Sequence, residues 1–376
     1  MNNISIYIHT PFCKHKCYYC DFASYANSEN YIRDYYEALG KEILLKKEQL
    51  KSRSISTLYF GGGTPSYVDS QYIGQIINII KSNFNFEDNA EITIELNPES
   101  VTKEKLQDYK NFGFNRLSMG LQSANNETLK KIGRIHTVEK FKEAFLLSRE
   151  EGFNNINVDL MFSLPNEKLI NFIDSLEFVL SLNPEHISTY SLILEKGTKL
   201  YDYYQNNNIE QNDNLDRQMY HYLIQKLNEY GYNQYEISNF AKAGYESRHN
   251  LRCWDFYDYV GFGSNASSFN DNKRSTNKEN IKDYIEDIKK DTIPIKEEHI
   301  LTNEELIGDY IMLALRKTKG LDIDDFNKKF NLDFEDIYKD KINKFKEMGL
   351  VQIKNNHFSL TYKGLDFANV VMMEFI

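Results

Sequence analysis

Three of the chain's four cysteines, Cys13, Cys17 and Cys20, fall within eight residues in the spacing C-x3-C-x2-C. Thiolates so placed on one loop can wrap a single metal centre, and they supply three ligands where a closed structural site uses four. One coordination position is left open. Zinc ribbons pair one C-x2-C with a second, which this sequence lacks, and a disulfide framework would strand an odd thiol; structural zinc and disulfides are the competing readings.

A loop with that task needs a rigid base. Ile4-Ser5-Ile6-Tyr7-Ile8 alternates as a strand does, so the cysteines follow a strand's carboxyl end. Five further strands are expected, at Ser56 to Phe60, Glu91 to Leu96, Arg116 to Gly120, Ile156 to Leu160 and His186 to Leu192, separated by helical sequence. Alternation of this kind up to about residue 193 is the pattern of β/α units on a parallel sheet.

Other polar groups cluster at the same strand ends. Gly61-Gly62-Gly63-Thr64-Pro65 follows the second strand, where missing side chains let backbone groups approach a ligand; a plain tight turn is the alternative. The segment has neither a P-loop lysine nor a dinucleotide fingerprint. On the third strand Glu91, Thr93 and Glu95 share one face, with Glu91 expected in solvent and Glu95 aimed at a ligand. Gln122 offers donor and acceptor, Arg134 can grip a carboxylate or lie on the surface, and Asp159 is either in the cleft or a helix cap.

Tyr7-Ile-His-Thr-Pro-Phe-Cys13, Phe60-Gly-Gly-Gly-Thr-Pro65, Glu95-Leu-Asn-Pro98, Asn115-Arg-Leu-Ser-Met-Gly-Leu-Gln122, Gly133-Arg-Ile-His136 and Asp159-Leu-Met-Phe-Ser-Leu-Pro165 resemble the oxygen-independent coproporphyrinogen III oxidase family of radical S-adenosylmethionine (SAM) proteins. The resemblance spans nearly the whole chain. It implies a partial (β/α)6 TIM-like barrel and a [4Fe-4S] cluster held by Cys13, Cys17 and Cys20, with SAM on the open iron. It also implies SAM contacts from Tyr7, Tyr19, Gly62, Gly63, Thr64, Glu95, Gln122, Arg134 and Asp159. Ser163 stands where that family usually has glycine, which bears on local loop geometry.

Within the family, the sequence is similar to the HemW-type haem chaperones. Cys20 is followed by Asp21-Phe22, where the oxidases carry a further cysteine, and strand one begins almost at the first residue, without the oxidases' N-terminal extension. His249-Asn250-Leu251-Arg252-Cys253-Trp254 is similar to the H-N-x-x-Y-W motif associated with haem in those chaperones, with Cys in place of Tyr. His249 is thus the haem candidate, an axial ligand or else a residue that orients its loop. Cys253 is a competing thiolate ligand or an inert buried thiol. The resemblance implies haem as cargo and haem-accepting apoproteins, membrane-associated ones included, as partners. The alternative activity is oxidative decarboxylation of coproporphyrinogen III, so whether the chain is an enzyme stays open.

Domain boundaries follow composition. Residues 1–204 are expected to form the barrel and 205–300 a family-specific middle region with polar connectors near 205–214 and 270–280. Residues 301–376 are expected as a C-terminal unit, winged-helix-like, with a Thr302/Glu305 capping box, an apolar stripe and a final hairpin about Asn355-Asn356. The whole is α/β with a C-terminal α+β part. A net charge of -10 and a pI near 5.4 oppose a nucleic-acid footprint. No apolar run approaches the roughly 18 residues of a membrane span, and no secretory signal is visible. Reduced thiols then fit a cytoplasmic protein.

Overall fold

The structure, a computed structural model, describes residues 3–376. Six parallel strands run in sequence order across its main sheet: β1 (Asn3–Thr10), β2 (Ser54–Gly62), β3 (Asn85–Leu96), β4 (Arg116–Gln122), β5 (Ile156–Phe162) and β6 (His186–Ser191). All six expected strands are present; five lie within two residues of their predicted bounds, and β3 begins six residues before the expected Glu91. Their alternation explains the architecture. Ile4, Ile6 and Ile8, Leu58 and Phe60, Ile92 and Ile94, Leu117 and Met119, and Val158 and Leu160 are buried in the main core, which the crossover helices complete. The intervening residues, including Ser5, Thr57, Glu91, Thr93, Glu95, Ser118, Asn157 and Asp159, face inward and make the barrel interior polar.

The crossover helices begin where the sequence provides caps. Asp69, Thr102 and Thr137 each accept a backbone N–H in the first turn of the helices Ser70–Asn83, Lys103–Phe112 and Val138–Glu150. Asp213–Glu229 is helical and stops before Gly231, which has φ +81°.

The sheet does not end with β6. It contains twelve strands in the order β12-β11-β10-β9-β1-β2-β3-β4-β5-β6-β8-β7, adding β7 (Asn233–Gln234), β8 (Asn239–Ala241), β9 (Tyr259–Phe262), β10 (Ser267–Asn270), β11 (Lys273–Asn277) and β12 (Ile295–Ile300). β9 is a seventh parallel strand, paired with β1. The expected polar connector at 270–280 therefore contains a strand. Asp271 and Asn272, at φ +53° and +60°, make the two-residue turn between β10 and β11. Lys273–Asn277 reads as linker because all five of its residues are polar, which leaves no apolar alternation. Glu42, fully buried on the helix Ile32–Leu45, ties this extension to the barrel. Its carboxylate accepts from Lys46 Nζ (2.7 Å), Tyr284 Oη (2.6 Å), Asn277 Nδ2 (2.8 Å) and the Gly263 N–H (2.8 Å).

A second core lies in the C-terminal unit, where Ile311, Leu315, Phe326, Phe334, Phe345 and Phe358 pack together. The Thr302/Glu305 capping box opens the helix Asn303–Arg316. A three-stranded sheet, β13 (Leu321–Asp322), β15 (His357–Leu360) and β14 (Val351–Lys354) in spatial order, carries the hairpin at Asn355-Asn356. Among the described residues no helix is long and apolar enough to cross a membrane.

Candidate functional site at the mouth of the barrel

β1 delivers the cysteine loop to the barrel mouth, and the loop is stapled at its base. Tyr25 N–H donates to the Pro11 carbonyl (2.7 Å) and Cys13 N–H to the Tyr25 carbonyl (3.1 Å). The glycine turn after β2 is zipped against the same backbone: Gly63 N–H donates to the Thr10 carbonyl (2.7 Å) and Thr64 N–H to the Phe12 carbonyl (2.8 Å). A Cβ on Gly63 would stand 2.8 Å from the Phe12 oxygen and 3.0 Å from Cys13 Sγ. Only glycine lets the two loops approach this closely.

One chain of contacts joins two of the thiols, Cys17 and Cys13. Arg134 Nη1 lies 3.6 Å from Cys17 Sγ, and Arg134 Nη2 donates to Asn97 Oδ1 (2.8 Å) and the Gly120 carbonyl (2.9 Å). Asn97 Nδ2 donates to Thr64 Oγ1 (2.9 Å), which is 3.4 Å from Cys13 Sγ. Arg134 Nε is buried without a partner among the described residues, and nearby Cys17 and Tyr19 favour the charged guanidinium against the cost of burial. Burial raises the Cys13 and Cys20 thiols above their ordinary range, opposed at Cys13 by the Thr64 hydroxyl.

All four cysteines are free, and among the described residues no three His, Cys, Asp or Glu side chains gather at one single-ion position. In a cluster of several irons each thiolate binds its own iron. Cys13, Cys17 and Cys20 all face one cavity of about 480 Å³. Tyr19, Gly62, Gly63, Thr64, Glu95, Gln122, Arg134 and Asp159 share its wall. Tyr7 stands behind that wall, its ring stacked on Tyr59 (6.2 Å) and its hydroxyl 3.0 Å from His9 Nδ1.

The interior below is a hydrogen-bonded lattice. Glu95 accepts from Tyr59 Oη (2.8 Å), and burial lifts its carboxyl to about 7. Asp159 is in mid-strand and faces inward, so it is no helix cap; it accepts from Asn157 Nδ2 (2.6 Å). Asn157 Oδ1 in turn accepts from His186 Nδ1 (2.6 Å) and Ser188 Oγ (3.0 Å). That network assigns the proton of His186 to Nδ1, leaving Nε2 to accept from Tyr235 Oη (2.7 Å). Arg116, 2% exposed, lines the cavity, and its Nε has no partner among the described residues.

Sequence reasoning missed Arg116, Asn97, Tyr59 and Asn157. Arg116 was detectable, since it shares the inward parity of Ser118 and Gly120. Ser163 adopts φ +59°, the left-handed region that glycine enters freely, and its hydroxyl is anchored on Asp216 Oδ2 at 2.8 Å.

His249 lies at the other end of the barrel. The helix Arg248–Trp254 plugs the floor, and the first inward layer of β1, β2 and β3 holds it. Ser5 Oγ accepts from Arg252 Nε (2.7 Å), Thr57 Oγ1 is 2.8 Å from His249 Nδ1, and Glu91 accepts the N–H groups of Arg248 (3.1 Å) and His249 (3.0 Å). Glu91 is thus buried, not solvated: a contact 158 residues away in sequence satisfies it. His249 is 8% exposed, packs with its ring tilted 30° against that of Tyr59 (5.0 Å), and is held neutral by burial and the nearby Arg116. His249 thus sits within a helix and is buried, whereas an axial haem ligand needs open approach. Burial pushes the Cys253 thiol up to about 11, consistent with an inert group.

Comparison with known proteins identifies the family. The radical SAM superfamily matches residues 7–179, and the HemN C-terminal domain matches residues 301–367. The heme chaperone HemW of Bacillus subtilis (strain 168) is 35% identical over 374 residues, covering 99% of each chain. The chain belongs to the HemW family. The Escherichia coli (strain K12) heme chaperone HemW is 36% identical to this HemW-family chain over 70% of it and 69% of the relative. A solved coproporphyrinogen III oxidase, HemN from Escherichia coli, described as a radical SAM enzyme, superposes with a TM-score of 0.89 at 25% identity, covering 100% of this chain and 90% of the oxidase. The radical SAM superfamily implies a [4Fe-4S] cluster and SAM. With HemN as a more distant relation than the HemW proteins, the chaperone branch predicted from Asp21-Phe22 is the one to which the chain belongs.

Proposed function

We propose that this HemW-family protein binds haem and passes it to apoproteins, membrane-associated ones included, in the cytoplasm. We further propose that Cys13, Cys17 and Cys20 hold a [4Fe-4S] cluster whose open iron takes SAM. The observation that carries the carrier reading is the similarity to a heme chaperone along 99% of both chains. The cavity fits the cofactors on its own chemistry. A cradle that a Gly63 Cβ would fill, three free thiols and a buried guanidinium with an unpartnered Nε suit a cluster beside an amino acid's carboxylate.

In this reading the Gly62-Gly63 backbone receives the amino group of SAM. Arg134 meets its carboxylate, and Glu95, Gln122, Asp159, Thr64 and Tyr19 surround its other polar parts. Tyr7 acts from behind, by fixing Tyr59 and His9. When bound, the cluster supplies an electron to the sulfonium. What the chain itself contributes is position and a shielded, charged cavity.

Anaerobic reconstitution followed by iron and sulfide analysis tests the assignment. About four irons per chain are expected, lost on replacing Cys13, Cys17 or Cys20 by serine and retained in Cys253→Ser. Tetrahedral zinc in the native protein, or full iron in Cys17→Ser, contradicts it. Incubation with coproporphyrinogen III and SAM should give no decarboxylated product; turnover would move the assignment to the oxidase.

A further inference from the structure

The chain has eight histidines, and seven of them have a ring nitrogen engaged. His9, His136, His186, His221, His249, His299 and His357 contact Ala23, Leu121, Asn157, Asp366, Thr57, Glu305 and Asn355, respectively. His15 is the exception. It sits between Cys13 and Cys17, lines the cavity, and packs edge-on against Tyr18 (5.9 Å, 67°), but among the described residues neither ring nitrogen has a hydrogen-bond partner.

Two exposed apolar side chains share its cavity. Phe22, 64% exposed, closes the cysteine loop, and Ile193, 67% exposed, follows β6; both line the same cavity. Charged groups of both signs border them, the carboxylates Asp21 and Glu195 among them. Lys16 is tethered to the Phe22 carbonyl (2.9 Å), and the ammonium of exposed Lys199 lies 5.0 Å above the Tyr18 ring. An uncommitted imidazole, two bare apolar side chains and flanking ammonium groups match the three parts of haem: iron, apolar ring and propionates.

We infer that the barrel mouth is the haem site, with His15 as axial ligand, Phe22 and Ile193 against the porphyrin, and Lys16 and Lys199 near the propionates. This rests on the haem-carrier reading. It moves the cargo from the buried His249 to the end of the barrel that carries the cysteines, so that haem covers the cavity from outside.

The test is an anaerobic haemin titration of the full-length, cluster-loaded protein, followed by its Soret absorbance. In His15→Gly the Soret band should shift and affinity fall about ten-fold or more, and added imidazole should restore the band with iron and sulfide unchanged. Ile193→Glu, on a separate loop, should weaken haemin by a similar factor and leave the band in place. An unaltered band and affinity in His15→Gly overturns the inference; if that variant loses its cluster, unaltered affinity in Ile193→Glu does so. Wild-type protein that takes no haemin defeats the carrier reading itself. Haemin binding lost in His249→Ala but not in His15→Gly defeats only this site.

Discussion

Gly63 and Cys13 approach so closely that a Cβ on the glycine would lie 3.0 Å from the cysteine sulfur. Two backbone hydrogen bonds, Gly63 N–H to Thr10 and Thr64 N–H to Phe12, prevent the turn from backing away. Gly63→Ala should therefore displace the cysteine loop, at a cost of about 1–3 kcal/mol for the overpacking. Iron and sulfide analysis should show a large loss of cluster while far-ultraviolet circular dichroism stays native. A full cluster in Gly63→Ala would mean that the two loops part without consequence.

At the far end, Glu91 accepts two backbone N–H groups of the plug helix from inside the barrel. Glu91→Ala leaves those donors buried and should cost about 2–4 kcal/mol, measured as a lower urea midpoint. The hydrogen bonds of Glu91 go to the plug and not to the cysteine loop, so cluster content should be retained once the protein is folded. Loss of cluster without loss of stability would show that the floor governs the mouth through His249, Tyr59 and Glu95, which are in contact in that order.

The contrast between those two sites explains what the sequence made legible. Strands β1 to β6 were readable because inward polar residues alternate with outward apolar ones, and the thiols were readable from spacing alone. Glu91 was not, because its partners lie more than 150 residues away and a carboxylate on an alternating strand looks solvated. Asn97 was quoted within a motif, but its role in linking Arg134 to Thr64 requires three strand ends brought together. β11 and β12 were hidden by composition: Lys273–Asn277 and the edge strand Ile295–Ile300 are polar segments paired by their backbones. The Asp271-Asn272 turn was the available signal.

Glu95 makes stability depend on pH. Its folded pKa of about 7 exceeds the ordinary 4.5, with burial and Asp159 raising it and Tyr59, Gly62 and Arg116 opposing the rise. Below pH 4.5 both folded and unfolded chains keep the proton. Between 4.5 and 7 the unfolded chain releases it and the folded chain does not, so the stabilisation is lost as pH rises. The contribution is on the order of 3 kcal/mol. Glu167, lifted to a similar value by burial, adds a parallel slope. The difference between wild type and Glu95→Gln in urea unfolding from acid to neutral pH isolates Glu95. Wild type should lose stability relative to the variant across that window; parallel profiles would contradict the shift.

The most direct measurement of the central claim is a haemin titration of the anaerobic, cluster-loaded protein by absorbance. A haem carrier of this family should give a saturable complex at one haem per chain, of micromolar or tighter affinity, about 8 kcal/mol or more. A titration that never saturates, or shows only the spectrum of free haemin, would contradict the assignment of this chain as a haem carrier.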